Sequence, residues 1–245
     1  MAIVTPIPEP PLGFASTAKY TIRPREKRAF HSVLDAKNIF DTAPDRGGFV
    51  DLSQSDGEIL FTTKQPLLHG EIQEEVRLAP GPGRGLATKS FIRKFIATDG
   101  RCVRQEGITD FHHETTPLPE ATYPEVTLPF CLGWLPLDGK RRSVYAWIND
   151  RFVAKVYVET AGRSRLTLPI GSRDAIEVIM YPDLNDWIAL GSVLTRLAKP
   201  FVPKYHMWYD PEAPYRLLRF EGPYGPPGAP EIVLELASVA SAASK

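Results

Sequence analysis

His206 and Trp208 stand two residues apart in the run Tyr205-His206-Met207-Trp208-Tyr209, so on an extended strand they share one face. An imidazole can hold or move a proton, and an indole offers apolar area with one N–H donor. If their shared face is interior, the pair could contact a ligand. If the interior is solid, the same pair is core packing. Tyr205 and Tyr209 take the other face and read as surface or sheet-packing residues. Two carboxylates could assist His206. Glu177 shares a strand face with Ala175 and Ile179, and Glu74 with Ile72, Val76 and Leu78. A carboxylate facing inward is costly unless it is paired or lines a polar pocket. Arg93, Arg104 and Arg219 are the available partners, whereas a shifted register would put both glutamates in water. The candidate proton-transfer set is therefore His206, Glu177 and Glu74. The candidate ligand-contact set is His206, Trp208, Trp147, Trp134 and Arg219.

His112-His113-Glu114 also combines metal-ligand and proton-transfer groups. It runs into Thr115-Thr116-Pro117-Leu118-Pro119, a loop composition, and an adjacent pair lacks the spacing of a histidine metal motif. No metal and no cofactor are expected. The chain has no GxSxG elbow, no phosphate loop and no HExxH. Gly81-Pro82-Gly83-Arg84-Gly85 has glycines, but Pro82 and the lack of a following helical pattern make it a loop and not a nucleotide cradle. Cys102 and Cys131 follow neither metal spacing nor a CxxC pattern and read as free thiols.

The elements that must position these residues are mostly strands. Phe152, Ala154, Val156 and Val158 alternate with Arg151, Lys155 and Glu159, a period of two with one face in a core. Residues 143–148 precede that run, and Asn149-Asp150 between them predicts a tight hairpin. Further strands are expected over 58–63, 71–78, 163–168, 175–181, 204–209, 215–220 and 231–236. Residues 88–98 fit a helix face or a strand, and Asp99-Gly100 favours a strand hairpin with 101–110. One amphipathic helix is expected near 183–199. Asp183 or Asn185 caps it, Trp187, Ile188, Leu190, Val193, Leu194 and Leu197 form its stripe, and Pro200 stops it.

Composition bounds the functions. The 245 residues include 24 prolines, about twice the usual share, which argues against an all-helical chain. Lys+Arg and Asp+Glu each total 29, so the basic excess of a general nucleic-acid binder is missing. The cluster Arg23, Arg25, Lys27 and Arg28 is broken by Pro24 and Glu26 and reads as a solvated edge. No apolar run reaches the ~20 residues of a membrane helix. The proline-rich start lacks the pattern of a signal peptide, so a cytoplasmic location is the expectation. Residues 14–237 are expected to form a single domain between flexible termini, 1–13 and 238–245.

From Tyr123 onward the chain resembles an uncharacterised bacterial family of lipocalin-like β-barrel proteins. The resemblance lies in Tyr123-Pro124 leading to Leu128-Pro129-Phe130, then Leu168-Pro169 with Gly171, and the strand from Ala175 to Tyr181. It continues through Pro203, His206 and Trp208, the run Tyr215-Arg216-Leu217-Leu218-Arg219-Phe220-Glu221-Gly222, and Pro230 with Glu235-Leu236. It implies a lipocalin-like fold, an assigned activity in few members and export in many. Short strands at regular intervals already suggest a mostly β protein, an antiparallel curved sheet closing into a lipocalin-like barrel, with a β-sandwich as the alternative. Three functions follow. The first is binding of a small, largely apolar molecule in the barrel cavity, without a cofactor. The second is a cofactor-free isomerase, hydratase or cyclase using the same cavity. The third is a structural or partner-binding protein with a filled core.

Overall fold

Alternating burial fixes the faces of the strands. In β4 (Glu58–Leu67), Ile59, Phe61, Thr63 and Gln65 are buried, while their neighbours are partly or fully exposed. Antiparallel sheets produce this pattern when one face meets a core and the other meets water. The computed structural model describes residues 2–25, 47–55, 57–67, 69–81, 85–108, 118–149, 152–183, 204–223 and 231–241. Within them lie β1 (Ile3–Val4), β2 (Ser16–Pro24), β3 (Gly48–Ser55), β4, β5 (Gly70–Pro80), β6 (Leu86–Ala97) and β7 (Cys102–Ile108). β8 (Thr122–Pro124) leads through a 3-10 turn at Glu125–Thr127 into the single-turn helix α1 (Leu128–Cys131) and a second 3-10 turn at Leu132–Trp134. Then follow β9 (Arg142–Asn149), β10 (Phe152–Leu168), β11 (Gly171–Pro182), β12 (Tyr205–Tyr209), β13 (Leu217–Pro223) and β14 (Glu231–Ser241).

The described strands join in one sheet of order β1-β9-β10-β11-β12-β13-β14-β2-β3-β4-β5-β6-β7, and β8 also pairs with β9. Asp99-Gly100 makes the β6–β7 hairpin, closed by the Ala97 N–H donating to the Arg101 carbonyl at 2.9 Å, with Gly100 at φ +84°. The segments 151–159 and 163–168, expected as separate strands, belong to the single strand β10. It passes a bulge between Thr160 and Gly162 without breaking.

The sheet does not close into a barrel, which corrects the lipocalin-like expectation. Closure needs the terminal strands to pair with each other. Here the free side of β9 is taken by two short parallel strands, β1 and β8. β8 ends at Pro124, which has no N–H to donate, and the chain turns at once into a 3-10 helix. The two edges are pinned by isolated bonds instead of a ladder. The Leu86 N–H donates to the Ile7 carbonyl at 2.7 Å and the Thr88 hydroxyl to the Thr122 carbonyl at 3.0 Å. The Tyr123 hydroxyl accepts from the Ile7 N–H at 2.9 Å and donates to the Leu86 carbonyl at 2.7 Å.

The expected helix at 183–199 lies outside the described residues except for Asp183, which is buried and donates its N–H to the Lys155 carbonyl at 2.8 Å. α1 was not anticipated. Its Leu128, Cys131 and Leu132 surroundings are sealed from water, and Phe130 reaches the rings of Tyr20 and Phe61 at 5.7 and 5.3 Å. The Tyr209 hydroxyl donates to the Pro129 carbonyl at 2.7 Å. Gly133 lets this segment lie against Tyr209, because a Cβ there would sit 2.6 Å from that ring. Residues 126–134 thus fill the inner side of the sheet. Segments expected as flexible termini carry structure at both ends. Ile3 and Val4 pair with β9, Ile7 is buried, and Ser238–Ser241 pair with β2. Apolar side chains at Val4 and Ile7, and backbone groups on β9 and β2 free to pair, account for this.

Candidate functional site

His206 and Trp208 do share a face, but it is the outer one. Met207 and Tyr209 take the inward positions of β12 and are fully buried against the core. The expectation of an inward pair, with Tyr205 and Tyr209 on the other face as surface or sheet-packing residues, is therefore reversed as to which face is inner. On the outer face His206 Nδ1 meets Glu177 Oε1 at 2.7 Å, so the bond orients the ring with a hydrogen directed at the carboxylate. His206 stacks on Trp208 at 5.9 Å, and the Arg219 guanidinium lies 5.4 Å over the same indole. Arg219 pairs with Glu221 and reaches Glu235 at 3.5 Å. Arg23 joins Glu235 at 3.4 Å, and Arg25 joins Glu221 at 3.4 Å and Glu231 at 3.1 Å. These ion pairs run over β13, β14 and the end of β2, while His206 and Glu177 join β12 to β11, on a half-solvated sheet face. Trp134 and Trp147 are core residues, packed edge-on against Phe14 at 5.8 Å and Phe91 at 5.1 Å.

Glu74 faces inward, and Arg93 is its partner. Register places Thr63, Glu74, Arg93 and Glu106 in one row across β4, β5, β6 and β7. Arg93 donates from Nε and Nη2 to Glu74 Oε1 at 2.7 and 2.6 Å, and from Nη1 to Glu106 at 3.3 Å. The Thr63 hydroxyl donates to the other Glu74 oxygen at 2.8 Å. From the opposite wall Glu125, first residue after β8, accepts from Arg93 Nη2 at 3.4 Å. Burial opposes the charge of Arg93, but Glu74, Glu125 and Glu106 outweigh it and hold the guanidinium more firmly protonated than usual. Burial pushes the Glu125 carboxyl up to about 7, against the pull of Arg93 and with further push from Glu74. Tyr205 is pushed up to about 12, by burial first and then by the charge of Glu125. Gln65, one row beyond Thr63 on the same inner face, is buried with its Nε2 unpartnered.

The sequence marks Glu74 and Arg93 as a possible pair but does not point to Glu106, Glu125, Gln65 or Tyr205. Glu106 had a legible signal, two residues from Ile108 on an alternating strand. Glu125 had none, because its position follows from the turn after Pro124.

Along the same seam, toward the start of β6, lies an open cleft of about 390 Å³ lined by Pro6, Leu86, Thr88, Leu118, Glu120 and Thr122 among others. That volume is within the range of small-molecule sites. His112, His113 and Glu114 lie outside the described residues. Among the described residues no group of three or more His, Cys, Asp or Glu side chains could hold a metal ion, and no helix is long and apolar enough to cross a membrane.

No family model matches the chain. No curated protein matches it either. A solved structure from Bacteroides fragilis, described as having a YmcC-like fold, is similar at 10% identity over 98% of this chain and 100% of that one, with a TM-score of 0.34.

Proposed function

We propose that this protein is a binding module that takes a small molecule, without a cofactor, along the seam where the two edges of its open sheet approach. The apolar part of the ligand rests in the cleft beside Leu86, Leu118 and Pro119, and a polar group meets Glu120 at its wall. The observation that carries this reading is the seam itself. It holds a ligand-sized cleft and, farther along and outside the lining of that cleft, a half-buried arginine beside a carboxyl pushed up to about 7, and such features concentrate at functional sites. The site differs from a barrel cavity, since residues 126–134 are buried in the core. A cytoplasmic location is part of the same proposal, and the free thiols Cys102 and Cys131 are compatible with a reducing compartment.

Native mass spectrometry of protein purified from its own host tests the reading. The expected result is a co-purifying small molecule that disappears when Ala87→Phe fills the cleft, with circular dichroism unchanged. A bare wild-type protein, or equal retention by the filled variant, overturns it. A cofactor-free proton-transfer enzyme is the second reading, favoured by Glu125, whose raised value suits a general acid or base near pH 7. In that case Glu125 takes the role first assigned to His206, Glu177 and Glu74.

A further inference from the structure

The strand order ends at β7, whose one sheet neighbour among the described residues is β6. Its outer edge therefore offers a row of backbone N–H and C=O groups to an incoming strand. The side chains along it are open as well. Cys102 is exposed, Val103 is 63% exposed and the Arg104 side chain 69%. Arg104, Glu106 and Ile108 share the inner face with Cys102, and Val103, Gln105 and Gly107 take the outer one. Arg104 and Glu106, joined at 2.7 Å, carry opposite charges one step either side of Gln105.

We propose that a second copy of this chain docks on this edge, its β7 running antiparallel about a two-fold axis at Gln105. Backbone groups point outward at every second residue, so two identical strands pair symmetrically only when some residue faces its own copy. An axis at Arg104 sets two guanidinium groups against each other, and one at Glu106 sets two carboxylates together. Axes nearer the ends of β7 leave most of the strand unpaired. The axis at Gln105 pairs the whole of β7. Arg104 then faces the partner's Glu106, and Glu106 the partner's Arg104. Val103 lies over the partner's Gly107, where no side chain opposes it, and Cys102 meets the partner's Ile108. Charge on an edge strand ordinarily blocks such pairing. Here the two signs are placed so that this one register turns repulsion into attraction. A single seven-residue strand pair is a small interface, so the dimer is reversible.

The test joins sedimentation equilibrium of the full chain with cysteine cross-linking. Sedimentation is expected to show a concentration-dependent dimer of the 27.3 kDa chain. Arg104→Glu makes both cross-strand charge pairs repulsive and is expected to raise the dissociation constant by about tenfold or more. In a Cys102→Ser background, Gln105→Cys is expected to form a disulfide between chains under mild oxidation, because residues at the axis stand about 5 Å apart. Val103→Cys in the same background stands about 13 Å from its own copy and is expected to stay reduced. A wild-type chain that sediments as a monomer at every concentration overturns the proposal. So does a dimer that Arg104→Glu leaves as tight as before, or cross-linking of Val103→Cys as ready as that of Gln105→Cys.

Discussion

Glu125 is the residue whose energetics depend most on its surroundings. Its carboxyl titrates near 4.5 in the absence of those surroundings and near 7 in the fold, with burial the main cause. Between those values the folded protein holds a proton that the unfolded chain has lost. Stability therefore falls as pH rises across that window, and the full penalty is present above about 7. Glu125→Gln removes the titration. In urea denaturation the variant is expected to exceed the wild type by about 1–3 kcal/mol at pH 8 and to match it closely at pH 4. Equal stabilities at both pH values would show that Glu125 ionises freely. Glu74 illustrates how far a single position can be read in advance. A carboxylate in phase with Ile72, Val76 and Leu78 needs a partner, and Arg93 provides it. His206 shows the opposite. Its strand carries large residues on both faces, so the sequence could not say which face the core would choose.

At the scale of elements, the edges of the sheet are held by few bonds, and the Tyr123 hydroxyl makes two of them. Tyr123→Phe keeps the ring and its packing but leaves the Ile7 N–H and the Leu86 carbonyl without that partner. A loss of about 1–3 kcal/mol is expected, from two buried groups losing a hydrogen bond. The effect should be local. Amide hydrogen exchange should speed up at Ile7 and Leu86 while the middle of β10 stays protected. Uniform loss of protection would mean that the seam is not a separable unit. The β9–β10 and β6–β7 hairpins were legible because Asn-Asp and Asp-Gly sit between runs of strand character. α1 was not, because Leu128-Pro129-Phe130-Cys131 is too short to show a helical period.

For the whole molecule, the core reaches across the sheet and encloses residues 126–134. Cys131 belongs to that core. It is fully buried, and burial pushes its thiol far above the usual range, while Cys102 is exposed on the edge strand β7. A thiol reagent is expected to label Cys102 alone in the native protein. Cys131 should react only when the fold opens, which makes its labelling in denaturant a report of global unfolding. Equal native labelling of the two would contradict a solid interior around α1.

Period-two alternation, turn pairs and abundant proline determine by themselves that this chain is a mostly β protein built from antiparallel hairpins. Those signals act between near neighbours, so they can be read without knowing where any strand docks. Whether the sheet closes, which face of β12 turns inward and where Glu125 lands depend on contacts between distant segments. The first is decided by β1 and β8 taking the edge of β9, and the second by Met207 and Tyr209 packing into the core. The third follows from the turn after Pro124, which sets Glu125 opposite Arg93. Each is a competition among segments for the same buried space, and tertiary structure alone resolves it.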